Sequence, residues 1–580
     1  FLYLLLDRFL RAAFTFALSL GGAVAFGTLI IGLFRYKRDV LMGHAMNLSQ
    51  KSAVGGVALG AGLAVAVLAA VVLLTLRGNR IKGVLAGAGS YVLLLLVGAV
   101  LSSTLPVESE PAIAFEPQVQ SQGPNIILVA VDALRADALT LYDANAEAKT
   151  PRVDAFRQDG VLFPNSFVQS TWTKPSFATL FSGLYPEAHT ATTKVSALPK
   201  DIDTVAEILY SGGYYTKGFS NNPNIMSVFD FDQGFVDYTD LKPDVYYFGA
   251  TYSASKLSLY EVLRKGKQRI SAKFSNKLVV SEFYQPAEDV TREALDWLDG
   301  DPVPQGVPFY LFLHYMEPHD PFMVAGPPGS SVRTPRVGYA RARMEHPDPK
   351  LAEAMRQAYN DDIEYMDIHI GALFDGLKER GLYDNSLIVF TSDHGEEFYD
   401  HKGWWHGQTL YDELMLVPLV IKLPGNARAG EQNPYFARQV DIPATFLHSA
   451  GLEQPEAMRG KPLFAEDNTD ANTDTSFVYA EVDFEGNDLQ AVRTYDAKII
   501  RANEDSTRGF DTVEFYDLAH DPAEQNNLAG ENHPRAEEQR SLDETLEEMK
   551  KSIREGAPEP SHGGAGQRDV QSQLEALGYL

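Results

Sequence analysis

The stretch Ser-Thr-Trp-Thr-Lys-Pro-Ser-Phe-Ala-Thr-Leu-Phe-Ser-Gly, residues 170–183, carries a hydroxyl where chemistry could use one. Pro175 suits the first turn of a helix, where its missing N–H would be unpaired anyway. Thr173 therefore falls at or near the N-cap, with its hydroxyl facing unpaired amides that attract anions such as phosphate or sulfate. A hydroxyl held there either caps the helix or attacks an anionic ester, and the stretch alone leaves both open. Asp132, Asp393 and His394 add two carboxylates and an imidazole. An oxygen-rich set with one nitrogen suits one divalent ion: Mn²⁺, Mg²⁺ or Ca²⁺, with zinc fitting less neatly. Such an ion would lower the pKa of the Thr173 hydroxyl and screen an incoming ester. Asp393-His394-Gly395 also reads as a plain strand-end turn, with Gly395 supplying the turn geometry.

The elements around these residues would bring them together. Asn125–Asp132 is a continuous apolar run ending on a carboxylate, as expected of a buried parallel strand. Ser386–Asp393 is a second, and Pro308–His314 a third that leads to His319. Val417–Leu423 and Tyr214–Ser220 are further strand candidates; Val205–Tyr210, Glu288–Leu298 and Leu351–Arg380 have helical spacing. Strands alternating with helices predict an α/β, doubly wound, mostly parallel sheet. Ligands in such sheets bind beyond the carboxyl ends of the strands, where Asp132, Asp393 and His319 emerge. Phe477–Val482, Leu489–Arg493 and Ala497–Arg501 alternate and predict a small antiparallel sheet.

The motifs, taken in order, resemble the sulfatase branch of the alkaline phosphatase superfamily. They run from Val-Asp132-Ala-Leu-Arg135-Ala-Asp137 and Thr150-Pro-Arg-Val-Asp154 through Thr173-Lys-Pro-Ser176 and Phe181-Ser-Gly183. His319-Asp-Pro321, Thr391-Ser-Asp393-His394-Gly395-Glu396, the segment His406–Glu413, Val440-Asp-Ile-Pro443 and the segment Phe515–Glu524 complete them. The resemblance implies Thr173 as nucleophile, with Asp132, Thr173, Asp393 and His394 around the metal. It makes His319 the histidine that contacts substrate and protonates the leaving oxygen. His406 lies at the family's second basic position, within a one-residue gap. Lys174, Asn221 and His401 are expected substrate contacts, although an exposed turn explains Lys174 and His401 as well. Arg135 reads as structural. Asp367-Ile-His369 has the wrong spacing for a second metal and reads as packed helix.

Departures from the pattern bear on the substrate. Sulfatases build a formylglycine from Cys or Ser in a Cys/Ser-x-Pro-Ser-Arg motif, whereas this chain has Thr173 there and Phe177 in place of the Arg. Oxidising a threonine gives a ketone and not the aldehyde, so no formylglycine is expected. Asn221-Asn222-Pro223 replaces the family's Lys-x-His, and Ala133 removes one of its paired aspartates. Threonine at this position is similar to lipoteichoic acid synthases, phosphoethanolamine transferases and related phosphodiesterases. The expected substrates are phosphate (di)esters, phosphonates or lipid and envelope headgroups, by hydrolysis or transfer. Two alternatives stay open: a sulfate-ester hydrolase working without formylglycine, and a weakly active or inactive accessory subunit of a membrane protein complex.

With 580 residues the chain exceeds one ordinary domain. It has no cysteine, which excludes disulfides, thiolate zinc sites and a cysteine nucleophile. Residues 1–107 read as a membrane domain whose three uncharged apolar runs, 12–34, 53–76 and 83–105, are each long enough to span a bilayer. The basic link from Arg77 to Lys82, and the absence of Lys or Arg from there to Arg135, place the catalytic domain outside the cytoplasm of a multi-pass cell-membrane protein. Arg35, Lys37 and Arg38 argue the other way. Residues 108–123 read as a linker, 124–475 as the catalytic domain and 476–530 as the small β subdomain. Residues 531–580 read as a charged helix, a linker and a short apolar tail. Residues 238–281 read as an insertion. The net charge of -27 excludes nucleic acid as a partner. A bilayer, an anionic ester and a membrane protein are the partners expected.

Overall fold

The computed structural model describes residues 121–241, 284–322, 339–341, 344–464, 476–530, 532–555 and 561–562. The three expected spans, most of the expected insertion and the apolar tail lie outside the described residues. No helix among the described residues is long and apolar enough to cross a membrane.

The central sheet has seven strands: β1 (Asn125–Val131), β2 (Val161–Leu162), β3 (Tyr215–Ser220), β4 (Asp237–Asp240), β5 (Phe309–Tyr315), β6 (Ser386–Ser392) and β7 (Leu419–Lys422). Their spatial order is β2-β7-β6-β1-β5-β3-β4. The five from β6 to β4 are parallel, while β7 runs antiparallel to β6 and β2 antiparallel to β7. Every residue of β5 and β6 is buried, so their near-continuous apolar sequences reflect cover on both faces. β4 takes Tyr238–Asp240 out of the expected insertion and into the sheet edge.

One face of the sheet packs Ile126, Leu128, Tyr310 and Phe312 against Phe177, Leu180 and Phe181 of the helix Thr173–Ser182. The other packs Ile127, Val129 and Leu311 against Met366 and Ile370 of the long helix Ala352–Glu379. That helix carries Asp367, whose carboxylate accepts from the first amides of the helix Pro151–Asp159, Arg152 N at 3.1 Å and Val153 N at 2.8 Å. Asp367 is thus a cap for a neighbouring helix. A four-stranded antiparallel sheet follows, β8 (Val478–Phe484), β9 (Asn487–Arg493), β10 (Ala497–Ala502) and β11 (Val513–Asp517), in sequential order. The amphipathic helix Ala536–Arg554 buries Leu542, Leu546 and Ile553 against it.

Candidate active site

Register converges the carboxylates. Val131 pairs with Ser392 on one side and with Tyr315 on the other, so Asp132 and Asp393 leave adjacent strands at the same level. Ala130 pairs with His314, and side chains alternate in β-strands, so His314 points to the same face as Asp132. His314 Nε2 lies 3.3 Å from Asp132 Oδ2, its ring edge-on to Phe177 at 5.0 Å between centroids. Phe177, which stands where the family pattern has arginine, is therefore a wall and not a donor.

Thr173 opens its helix as the first helical residue; Trp172 is the N-cap. Its hydroxyl caps no amide. It faces His394 Nε2 at 3.5 Å and the Asn222 side-chain nitrogen at 3.5 Å. Ser176, one turn on, donates to the Asp393 carbonyl and lies 2.9 Å from the Gln439 side-chain amide, tying this helix to the end of β6. The helix stops at Gly183 in the left-handed region (φ +66°). Gly395 serves close approach and not a special turn: a Cβ there would sit 1.9 Å from the Glu413 carbonyl oxygen, while its N–H donates to Leu414 O at 2.9 Å.

The cluster is built for a cation. Asp393 Oδ1 accepts from Ala133 N at 3.1 Å and His394 N at 2.9 Å, whereas Asp393 Oδ2 and Asp132 Oδ1 are buried without a hydrogen-bond partner among the described residues. Both orphan oxygens face His394 Nε2, at 3.4 and 3.5 Å. The His394 ring is oriented by Nδ1–H donating to Gly395 O at 2.8 Å. Asp132, His314 and Asp393 each offer a ligand atom, all within 4.8 Å of one another. Burial opposes ionisation of Asp132, yet the imidazoles of His319, His314 and His394 prevail and hold its carboxyl down at about 2. Burial and the Asp132 charge push Asp393 well above the usual carboxylate range, and burial takes His394 down to about 4. Two close carboxylates and neutral imidazole fit a divalent ion, which would relieve the repulsion between them.

His319 and His406 complete the wall, their rings 4.9 Å apart, with His406 also 4.4 Å from His394. His319 Nδ1–H donates to the Asp320 carbonyl at 2.6 Å. His406 Nδ1 pairs with Glu396 Oε1 at 3.0 Å, and burial pushes Glu396 well above the usual carboxylate range and His406 well below the usual imidazole range.

The structure does not bring Lys174, Asn221 or His401 into the cluster. Lys174 is buried with Nζ donating to Lys194 O at 2.8 Å and Ser196 O at 2.9 Å, over the Phe229 ring. Asn221 exchanges hydrogen bonds with the Gln285 backbone at 2.7 and 3.0 Å; its neighbour Asn222 is the one at the site. His401 is stacked on Tyr411 and held by Glu413 Oε1 at 2.7 Å, which outweighs its burial and raises it to about 9. Arg135 is spent on Asp137, Asp400 and the Glu396 carbonyl. His314 was not among the expected ligands; strand alternation, one residue before the end of β5, was the signal for it.

Comparison with known proteins matches residues 124–452 to a family model described as Sulfatase, and 400–552 to one described as N-sulphoglucosamine sulphohydrolase, C-terminal. Similar proteins include PehA of Trinickia caryophylli, a multifunctional alkaline phosphatase superfamily protein, 26% identical over 70% of this chain and 91% of that one. An N-acetylglucosamine-6-O-sulfatase of Bacteroides thetaiotaomicron is 24% identical over 76% and 88%. Among solved structures, a phosphonate monoester hydrolase of Agrobacterium radiobacter superposes with a TM-score of 0.56 at 23% identity, covering 74% of this chain and 96% of that one. That likeness carries the fold: an α/β sandwich with a mostly parallel sheet and a C-terminal antiparallel one.

Proposed function

Because the chain belongs to the sulfatase family of hydrolases, we propose that it cleaves anionic phosphorus esters, phosphate (di)esters or phosphonates, with Thr173 as nucleophile. The observation that carries this is a hydroxyl that caps nothing and lies 3.5 Å from His394 Nε2, beside two orphaned carboxylate oxygens. Asp132, Asp393, His394 and Thr173 would hold a divalent ion, with His314 against Asp132. Once bound, that ion supplies Lewis acidity that lowers the Thr173 pKa and draws charge from the ester. Thr173 releases its proton to solvent and attacks phosphorus; the Oγ–P bond forms as the ester O–P bond breaks. The departing oxygen takes a proton from His319; water or an acceptor alcohol then gives a proton back to His319 and attacks phosphorus in line, the new O–P bond forming as the Thr173 Oγ–P bond breaks. His406, held by Glu396, and Asn222 orient the anion and the nucleophile.

The relatives named for sulfatase activity support a second reading, sulfate-ester hydrolysis without formylglycine. Threonine favours phosphorus, since no aldehyde hydrate is available to expel sulfate. The test is turnover of a phosphate diester, a phenylphosphonate monoester and an aryl sulfate by wild type and Thr173→Ala, with metal content measured in both. Phosphorus-ester turnover lost in Thr173→Ala at unchanged metal content is the expected result. Equal turnover by both proteins sinks the assignment.

The sequence before residue 108 supports a membrane tether with the catalytic domain outside the cytoplasm, which would concentrate the enzyme on lipid headgroups or envelope glycans. Recovery in carbonate-washed membranes and protease accessibility in intact cells test it; a protein washed free by carbonate argues against a tether.

A further inference from the structure

Arg341 is the cation that the chemistry above leaves unused. Phe322 and Tyr339 exchange backbone hydrogen bonds at 2.8 and 3.2 Å, which brings 339–341 back beside His319 and Asp320. Arg341 N then donates to Asp320 Oδ2 at 2.9 Å. The residue is 5% exposed. Its Nη2 donates to Glu485 Oε2 at 2.7 Å, but Nη1 is buried with no hydrogen-bond partner among the described residues. A buried guanidinium with an unmet N–H is costly unless something else fills the role.

Glu485 holds this arm from the turn between β8 and β9. Its carboxylate also accepts from Gln408, two residues beyond His406, at 2.8 Å and from Lys194 at 3.1 Å. Phe484, just before it, lies 4.9 Å from the Trp172 ring and 5.6 Å from the Arg341 guanidinium. Arg341 is thus fixed relative to the neighbours of Thr173, His319 and His406 together, and its charge reaches His406 and Glu396. Among the described residues, Lys174 and Arg135 are both engaged elsewhere.

We propose that Arg341 is a substrate-binding residue whose Nη1 donates to an oxygen of the anionic group held at Thr173, with Glu485 as the positioning residue that aims the guanidinium. This rests on the reading of Thr173 as the site of attack. A charge-assisted donor of this kind is worth about ten- to a hundredfold in affinity.

The experiment measures KM and kcat for a phenylphosphonate monoester, Ki for inorganic phosphate and Tm, in wild type, Arg341→Gln, Arg341→Lys and Glu485→Gln, with phosphate binding also followed by calorimetry. Arg341→Gln is expected to raise KM and phosphate Ki by about ten- to a hundredfold, with Arg341→Lys intermediate and Glu485→Gln raising both a few-fold. Unchanged phosphate binding in folded Arg341→Gln, or in Arg341→Lys should the first not fold, overturns the proposal. A wild type that turns over no ester yet loses phosphate binding on Arg341 substitution would sink Thr173 as the nucleophile and keep only the anion-binding role of Arg341.

Discussion

Asn222 donates its side-chain amide to Asp132 Oδ2 at 2.8 Å. The same nitrogen lies 3.5 Å from Thr173 Oγ1, while Asn222 Oδ1 accepts from Asn224 N at 2.9 Å. One amide therefore links a carboxylate, the hydroxyl and the loop that carries it. Asn222→Asp keeps the loop bond and sets a second carboxylate against Asp132. Turnover is expected to fall about a hundredfold, a loss of the size seen for charge-assisted hydrogen bonds, and Tm to fall with it because two buried carboxylates then face each other. Kinetics paired with a thermal melt checks this; full activity in Asn222→Asp would remove Asn222 from the site.

Divalent metal should bind the folded chain and raise its Tm by several degrees at saturation, since a ligand that prefers the native state stabilises it. Chelation should abolish turnover, and re-addition restore it. Asp393→Asn should lose most of the thermal shift, and His314→Ala part of it. A Tm indifferent to Mn²⁺, Mg²⁺ and Ca²⁺ alike would contradict the donor set.

His189 supports the helix of Thr173 from behind. It accepts from Ala191 N at Nδ1, 3.1 Å away, so Nε2–H donates to Pro175 O at 3.1 Å. Burial holds its pKa down at about 3, against 6.5 for a free imidazole. The unfolded chain binds the proton first, so this contribution is complete above pH 6.5 and is lost as pH falls from there toward 3. Urea melts between pH 7 and 4.5 should show a smaller loss for His189→Gln than for wild type, by up to about 2 kcal/mol. Parallel pH profiles would rule the effect out.

The two sheets are joined by a buried charge network. Asp412 takes Arg493 and Lys498, each at 3.0 Å, and Lys498 also takes Glu524 at 2.8 Å. Lys498→Met leaves Glu524 without its cation and Asp412 with Arg493 alone, and should cost about 3–5 kcal/mol. Adding Glu524→Gln should recover part of that. Denaturant titration of the double-mutant cycle measures it, and strict additivity would mean the pair is uncoupled.

The sheet was legible because β1 and β6 are apolar runs closed by a carboxylate, and a strand buried on both faces leaves that signature. His314 was harder: it sits inside a strand, where a histidine between Leu313 and Tyr315 looks like core, and only the pairing of Ala130 with His314 shows that it shares a face with Asp132. Asn221 and Asn222 are adjacent and chemically identical, so composition cannot choose between them; the turn into Pro223 sends one to Gln285 and the other to Asp132. Arg341 carries no local signal at all. Its place depends on a pairing of Phe322 with Tyr339 and on a turn more than a hundred residues downstream.

The alignment of three strand ends has a consequence for biogenesis. Ala133 and Asp393, in direct contact, are separated by 260 positions along the polymer. Translation delivers Asp132 and Thr173 long before Asp393 and His394, so a growing chain holds only half the donors until residue 394 clears the ribosome. If the proposed ion is captured there, its binding would mark near-completion of the central sheet, and a fragment ending short of that point would lack Asp393 and His394.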